Sequence, residues 1–438
     1  MKCNGPKNNN RPIILGGGLA GLSACYHGDG VVYEQDETVG GRAKSHVRDG
    51  FTFDEGIHVL HTTNEYVLEL LEKTQANLDI REREAWIVSH GALTRYPFQA
   101  NTYGLPVNIV KDCLLGFIEN DFNDHNKVMN YEDWLYFMFG KGIAQHFMIP
   151  YSQKFWGVLP SELTTDWVNI RHPRPSLEEI IEGALHDQKK VFGVNAQFRY
   201  PKKKGYGAIA ESLVQGCNNR IQCGMKVTNI DVQRKMVEFN NRDLVQYENI
   251  ISSIPLPDLA ALISDIPNSV REAIKKLRAN SIFVVNIGVK RPNISEKSWI
   301  YYLENEFSFF RISFPFNFNG SDSMVPQGYS SVSAEISYGN ENPLPASKGE
   351  MVKIVVNELI KSGILLQDDE ILFTDTIDIK FGYVIYDKER KGAVDIIHRY
   401  LKSQGIIPCG RYGDWEYQWS DEAILSGKRA AQEINNKN

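Results

Sequence analysis

Gly16, Gly18 and Gly21 stand at G-x-G-x-x-G spacing, directly after the apolar run at residues 12–15 and at the start of a predicted helix. Glycine at these places lets backbone amides approach a pyrophosphate, while the helix N-terminus faces its charge. Glu34 closes the next apolar run, 18 residues after Gly16, where a carboxylate accepts hydrogen bonds from ribose hydroxyls. Strand, glycine turn, helix, strand and acid in that order predict a dinucleotide-binding βαβ unit over residues 11–35. The glycines alone do not separate NAD from FAD.

Shortly after Glu34 comes Gly40-Gly41-Arg42, followed by "GFTFDEG" at residues 50–56. This pairing resembles the flavoprotein pattern of the glutathione-reductase-like superfamily, in which the Gly-Gly-Arg turn lies along the cofactor. The resemblance selects FAD and places Gly41 and Arg42 beside it.

Four further patches follow in order: "EGIHVLH" at 55–61, "RYPFQANTYGLP" at 95–106, "NAQFRYPKKKGYG" at 195–207 and "GRYGDWEYQWSDEA" at 410–423. Together they resemble the UDP-galactopyranose mutase family, most closely its eukaryotic-type branch, from about residue 12 to 433. In that family reduced FAD acts as a nucleophile: its N5 displaces UDP from the sugar's anomeric carbon, and the adduct opens, recloses as the five-membered ring and is recaptured by UDP. The resemblance therefore implies redox-neutral conversion of UDP-galactopyranose, or a related nucleotide hexopyranose, to its furanose form, with a nucleotide sugar as partner and the cytoplasm as location.

Residue by residue, the resemblance carries over as follows. Arg171 and Arg311 match the arginines that neutralise the diphosphate, a task suited to an always-charged, bidentate fork. Tyr301, Tyr383 and Tyr417 complete the diphosphate shell as neutral donors. Tyr96, Phe98 and Gln99 match the uracil site, Trp156 the ribose contact, Asn195 the sugar contact and His58 the histidine beside the flavin. Arg411 and the helix beginning near Asp421, with Ser420 as its expected N-cap, are placed at the flavin pyrimidine ring, where positive charge stabilises the reduced form.

Each residue also has a plainer reading. Phe98 and Trp156 suit core burial, the tyrosines suit packing, the arginines suit ion pairs, and His58 with His61 is no metal signature without a third ligand. Two positions depart from the family: Ser152 replaces an asparagine and Phe318 a tyrosine, while Lys202, Lys203 and Lys204 replace a glycine-rich loop. These departures leave the sugar and the nucleotide open. An FAD-dependent oxidase of the amine oxidase or protoporphyrinogen oxidase type shares the N-terminal motifs and would not require Arg171 or Arg311. A flavoprotein without activity, serving as a partner in polysaccharide assembly, is a third reading. Direct reduction by NADPH, or by another reductant, follows from the eukaryotic-type relatives alone, and the sequence sets no oligomeric state.

A chain of 438 residues is too long for one ordinary core. Hydrophobic residues at 42%, charged residues at 23% and a formal charge of −6 give no pull toward nucleic acid. The polar start "MKCNGPKNNN" and the lack of a run of about 18 apolar residues predict neither secretion nor membrane insertion. Six scattered cysteines, none in a C-x-x-C pair, predict reduced thiols and no metal.

The elements that must position these residues follow from periodicity. Val67, Leu70 and Leu71 suit an amphipathic helix, "AWIVSHGALTRYPFQ" suits a hairpin turning at His90-Gly91, and residues 107–187 recur at helical spacing. "NIISSI" reads as a strand rejoining a parallel sheet, and residues 348–362 as a helix among strands. The expected fold is α/β: a Rossmann-like FAD-binding domain (1–80, 205–262, 400–438), a helical substrate-binding insertion (104–192) and an antiparallel sheet domain (81–103, 193–204, 263–399).

Overall fold

The computed structural model describes residues 7–8, 11–122, 128–168, 174–188, 197–319 and 324–436. Its first sheet is parallel and five-stranded, in the order Ile221–Gln222, Val31–Tyr33, Ile13–Leu15, Ile250–Ser252, Ile406–Pro408. The three central strands and Ile406–Pro408 are buried at every residue, as unbroken apolar runs in a parallel sheet require. "NIISSI" is thus the strand that continues the sheet from the N-terminal unit to the C-terminal one.

Helix Leu19–His27 follows the glycine turn and packs on helix Ser420–Asn435. Contact is backbone-close: a Cβ on Gly427 would sit 2.0 Å from the Ala20 carbonyl oxygen, and Ser23 Oγ donates to Ile424 O at 2.6 Å. The last helix is N-capped at Trp419, one residue before the expected Ser420, because the Glu422 carboxylate turns back to accept the Trp419 N–H at 2.6 Å.

A second, seven-stranded sheet runs Ile371–Ile379, Ser281–Val289, Ser330–Tyr338, Arg311–Ser313, Trp299–Tyr302, Ala85–Ser89, Ala92–Arg95. It is antiparallel except that Trp299–Tyr302 lies parallel to Ala85–Ser89, so the sheet is mixed. These two strands are joined by a long crossover and not a hairpin, which frees their relative direction. Strand alternation sorts the side chains: Ile300, Tyr302, Ile312, Ala334 and Ile336 pack beneath helix Lys348–Lys361, leaving Tyr301, Arg311 and Glu335 on the opposite face. The His90-Gly91 turn has positive φ at both residues, the hairpin geometry that matches strand twist.

Helices Val107–Ile118, Tyr131–Ile143, Ile149–Trp156 and Leu177–Leu185 form a helical region, in which the first packs on the second and fourth and the third touches strand Ser330–Tyr338. A π-helical turn, Ala144–Met148, continues the second into the third. Phe147, Tyr151 and Phe155 recur at i, i+4, i+8 and so share one face. No helix among the described residues is long and apolar enough to cross a membrane.

Candidate active site

A continuous cavity of about 820 Å³ runs from Glu34 to the helix Ile149–Trp156. Its first half is lined by glycine. Gly16 holds φ at +97°, and a Cβ on Gly21 would fall 1.9 Å from the Gly16 carbonyl oxygen, so the turn closes only with glycine there. Gly41 faces it at φ +54°, where a Cβ would lie 3.0 Å from Gly18 Cα. Glu34 is buried, and its carboxylate accepts the Gly17 N–H at 2.6 Å and the Asp36 N–H at 2.9 Å. Arg42 donates to Glu55 at 2.9 Å beside this half.

The middle of the cavity is formed by the turn Gly56–Ile57–His58 and by Arg411. Beneath the turn, buried Asp54 accepts from Ser45 Oγ and Tyr200 Oη at 2.6 Å each and from the Tyr206 N–H at 2.9 Å. Burial pushes its carboxyl up to about 6 despite those donors. His58 Nδ1 lies 3.3 Å from Gly56 O, and burial lowers its pKa, leaving a neutral imidazole at pH 7. His61, at the cavity wall, is pushed down to about 4 by burial and by Arg83. Arg411 donates to Gln418 O at 3.2 Å and to Gly382 O at 3.1 Å, while its Nε and the Gln418 Oε1 are buried with no partner among the described residues.

The far half is aromatic. Tyr96, Tyr301, Tyr383, Tyr417 and Trp156 line it, with Gln99 among them. Tyr301 stands 5.3 Å from the rings of both Tyr96 and Tyr151. Burial raises Tyr96 to about 12 and Tyr383 higher still, so both phenols keep their protons as donors. Arg311 is largely enclosed in this lobe, its side chain 12% exposed, and donates through Nε to Glu335 at 2.5 Å. Burial alone would weaken its charge, but Glu335, Tyr383 and Tyr301 hold its pKa well above the ordinary value.

A family model described as flavin containing amine oxidoreductase matches residues 19–435. The chain belongs to that family. A crystal structure of reduced UDP-galactopyranose mutase is similar over 98% of this chain and 96% of its own, at 26% identity and a TM-score of 0.90. A protein of Exiguobacterium sp. 255-15 assigned as a protoporphyrinogen oxidase aligns over 99% of this chain and all of its own at 15% identity and TM-score 0.76. Putrescine oxidase bound to putrescine aligns over 98% of this chain at 15% identity and TM-score 0.67. These last two share the fold.

As a member of this flavin family, the chain offers a site that fits FAD. A Cβ on Gly41 would press on Gly18 Cα at 3.0 Å, Glu34 stands at one end of this cradle, and Arg411 Nε with Gln418 Oε1 supply a buried donor and acceptor, unpartnered among the described residues, further along the cavity.

Two expected site residues lie elsewhere. Phe98 is fully buried and stacks on Phe147 at 4.7 Å with 7° between planes, so Phe147 is the ring that reaches the cavity. Asp421 does not line the cavity: its carboxylate accepts the Glu422 N–H at 2.9 Å, while Trp419, Ser420 and Ala423 form the wall. Of the departures, Ser152 lines the cavity and Phe318 packs on Phe198, Tyr200 and Trp299 behind it. Lys202 and Lys204 pair with Asp79 and Glu211. Arg171 and Asn195 lie outside the described residues.

The sequence reading passed over Arg83, Tyr131, Tyr151, Trp167 and Glu335, all at the cavity. Tyr151 had a signal, the helical spacing Phe147, Tyr151, Phe155 one turn from Trp156. Arg83 was masked by the charge run "REREAW". Its guanidinium carbon stands 4.4 Å over the Tyr96 ring.

Proposed function

We propose that this protein is a nucleotide-sugar mutase that interconverts UDP-galactopyranose, or a related nucleotide hexopyranose, with its furanose form. The observation that carries the reading is Arg311, a largely enclosed cation set among Tyr301, Tyr383 and Tyr151 in a lobe that opens onto the glycine-lined half. A cation ringed by protonated phenols suits a diphosphate and disfavours an ammonium substrate. Bound and reduced, FAD would supply the nucleophile that displaces UDP at the anomeric carbon, with no net redox change.

The chain's own groups would do the rest. Arg311, with Arg171, neutralises the charge gathering on the departing diphosphate, and Tyr301, Tyr383 and Tyr417 donate to its oxygens. Tyr96 and Gln99 hold the uracil face and edge, Trp156 covers the ribose, and Asn195 orients the sugar. Neutral His58 can accept or donate at the sugar without adding charge. Gly16, Gly18, Gly21, Glu34, Gly41, Arg42 and Arg411 hold the cofactor. The same reading assigns the enzyme to cytoplasmic synthesis of a glycan precursor, with NADPH or another reductant keeping the flavin reduced.

The test is anaerobic. Dithionite-reduced and oxidised holoenzyme are each given UDP-galactopyranose or UDP-galactofuranose, and the products are separated by chromatography. Interconversion in the reduced sample alone is expected. Replacing Arg311 with alanine should weaken UDP binding by about 2 kcal/mol or more, roughly 30-fold or greater. The second reading, an oxidase, is favoured by the family match and by the aromatic pair Tyr383 and Tyr417, 5.7 Å apart. It predicts oxygen-dependent turnover of an amine or an apolar ring and no interconversion.

A further inference from the structure

Glu335 is buried at 4% exposure in strand Ser330–Tyr338 and lines the cavity where its halves meet. Its two carboxylate oxygens serve different parts of the chain. Oε2 accepts from Arg311 Nε at 2.5 Å, across a register in which Arg311 and Glu335 sit directly opposite on neighbouring strands. Oε1 accepts the Ile57 N–H at 3.0 Å, in the turn that carries His58. The turn fits closely: Gly56 holds φ at +80°, and a Cβ there would lie 2.8 Å from Glu335 Oε1.

We propose that Glu335 is a positioning residue that ties the turn Gly56–His58 to the arginine of the diphosphate site, so that anion binding at Arg311 is felt at the cofactor end of the cavity. Occupying Nε fixes the plane of the guanidinium and leaves its two terminal nitrogens, which have no hydrogen-bond partner among the described residues, for the ligand. An arriving diphosphate competes with Glu335 for that cation. The carboxylate then shifts its hold on Ile57, and the turn moves with it. An apolar residue at 335 could fill the space but could not hold both partners, and would strand a buried cation.

The inference rests on reading Arg311 as the diphosphate arginine. Its test therefore uses binding and does not depend on turnover. UDP, and inorganic pyrophosphate as a second probe, are titrated into oxidised and into reduced holoenzyme of the wild type, Glu335→Gln and Gly56→Ala. For the wild type the two redox states are expected to differ in affinity roughly 10-fold, which by linkage is a shift of about 30 mV in the two-electron potential. Glu335→Gln keeps the size and an acceptor for Ile57, and is expected to bind the anion with that difference reduced to less than about 2-fold. Gly56→Ala, whose methyl would press on Glu335 Oε1 from the turn while the carboxylate keeps its charge, is expected to shrink the difference as well.

An undiminished difference in both variants would overturn the proposal, as would its absence in the wild type. Binding of pyrophosphate but not UDP, with the difference lost in Glu335→Gln, would sink the nucleotide-sugar reading and leave the role of Glu335 standing.

Discussion

Arg411 packs against the edge-to-face pair Tyr383 and Tyr417, its guanidinium carbon 5.0 Å from the centroid of each ring. This cluster joins the loop Gly382–Tyr383 to the C-terminal segment, and the two carbonyls that Arg411 bonds come from the same pair of segments. Replacing Arg411 with alanine removes both ring contacts and both charge-assisted bonds. A loss of about 2–4 kcal/mol is expected, read from urea denaturation of the apoprotein. Lysine should recover less than half of this, because a point charge cannot reach both carbonyls while packed against the rings.

Gly21→Ala is expected to yield folded but colourless protein. The added methyl meets the Gly16 carbonyl oxygen at 1.9 Å, so helix Leu19–His27 must retreat from the turn that would hold the pyrophosphate. The measurement is bound flavin absorbance per mole of protein after purification, with circular dichroism as the control for folding.

Asp54 makes stability depend on pH. Its folded pKa of about 6 lies above the ordinary 3.8, so the native state holds the proton more tightly than the unfolded chain does. The contribution is full below about pH 4 and is lost as pH rises through 6. The interval amounts to about 3 kcal/mol. Asp54→Asn should flatten this part of the profile, making the variant relatively more stable at pH 8 than at pH 4. Denaturation midpoints of the two proteins across that range check the sign.

Phe98 and Gln99 are neighbours with different work. Phe98→Ala should cost about 3–5 kcal/mol of stability, since it empties the space behind Phe147. Phe98→Leu, a milder change, should lower stability while leaving UDP affinity within about 3-fold. Gln99→Ala should do the reverse, weakening UDP by about 1–2 kcal/mol with little change in the denaturation midpoint. Calorimetric titration beside urea denaturation separates the two.

Local geometry was the legible part of the sequence. Gly16, Gly18, Gly21 and Glu34 declare themselves because turn, helix start and acid are all set within two dozen residues. Non-local facts were not legible. Arg311 and Glu335 meet only once two strands register, and nothing near either residue records that pairing. The parallel pairing of Trp299–Tyr302 with Ala85–Ser89 is hidden for the same reason. Phe98 shows a third limit: an aromatic residue in a matching motif has the same sequence signature whether it touches a ligand or the ring that does. Helix Leu256–Leu262 went unread because it is a single short apolar run begun by two prolines, too brief to show a period, and Asn268–Lys275 and Arg390–Ser403 because polar residues dilute their apolar stripes.

The site draws on both ends of the chain, with Gly21 packed against the first turn and Gly410 to Ala423 forming the opposite wall. Translation therefore makes the two walls at different times. At about 5–20 residues per second, the roughly 400 residues between them separate the walls by on the order of 20–80 s. Through that interval the glycine turn is complete, with Gly41 already facing it, but lacks the wall from Gly410 to Ala423. The nascent chain cannot enclose a flavin until Gly410 to Ala423 has left the ribosome, so cofactor capture waits on a wall made long after the glycine turn.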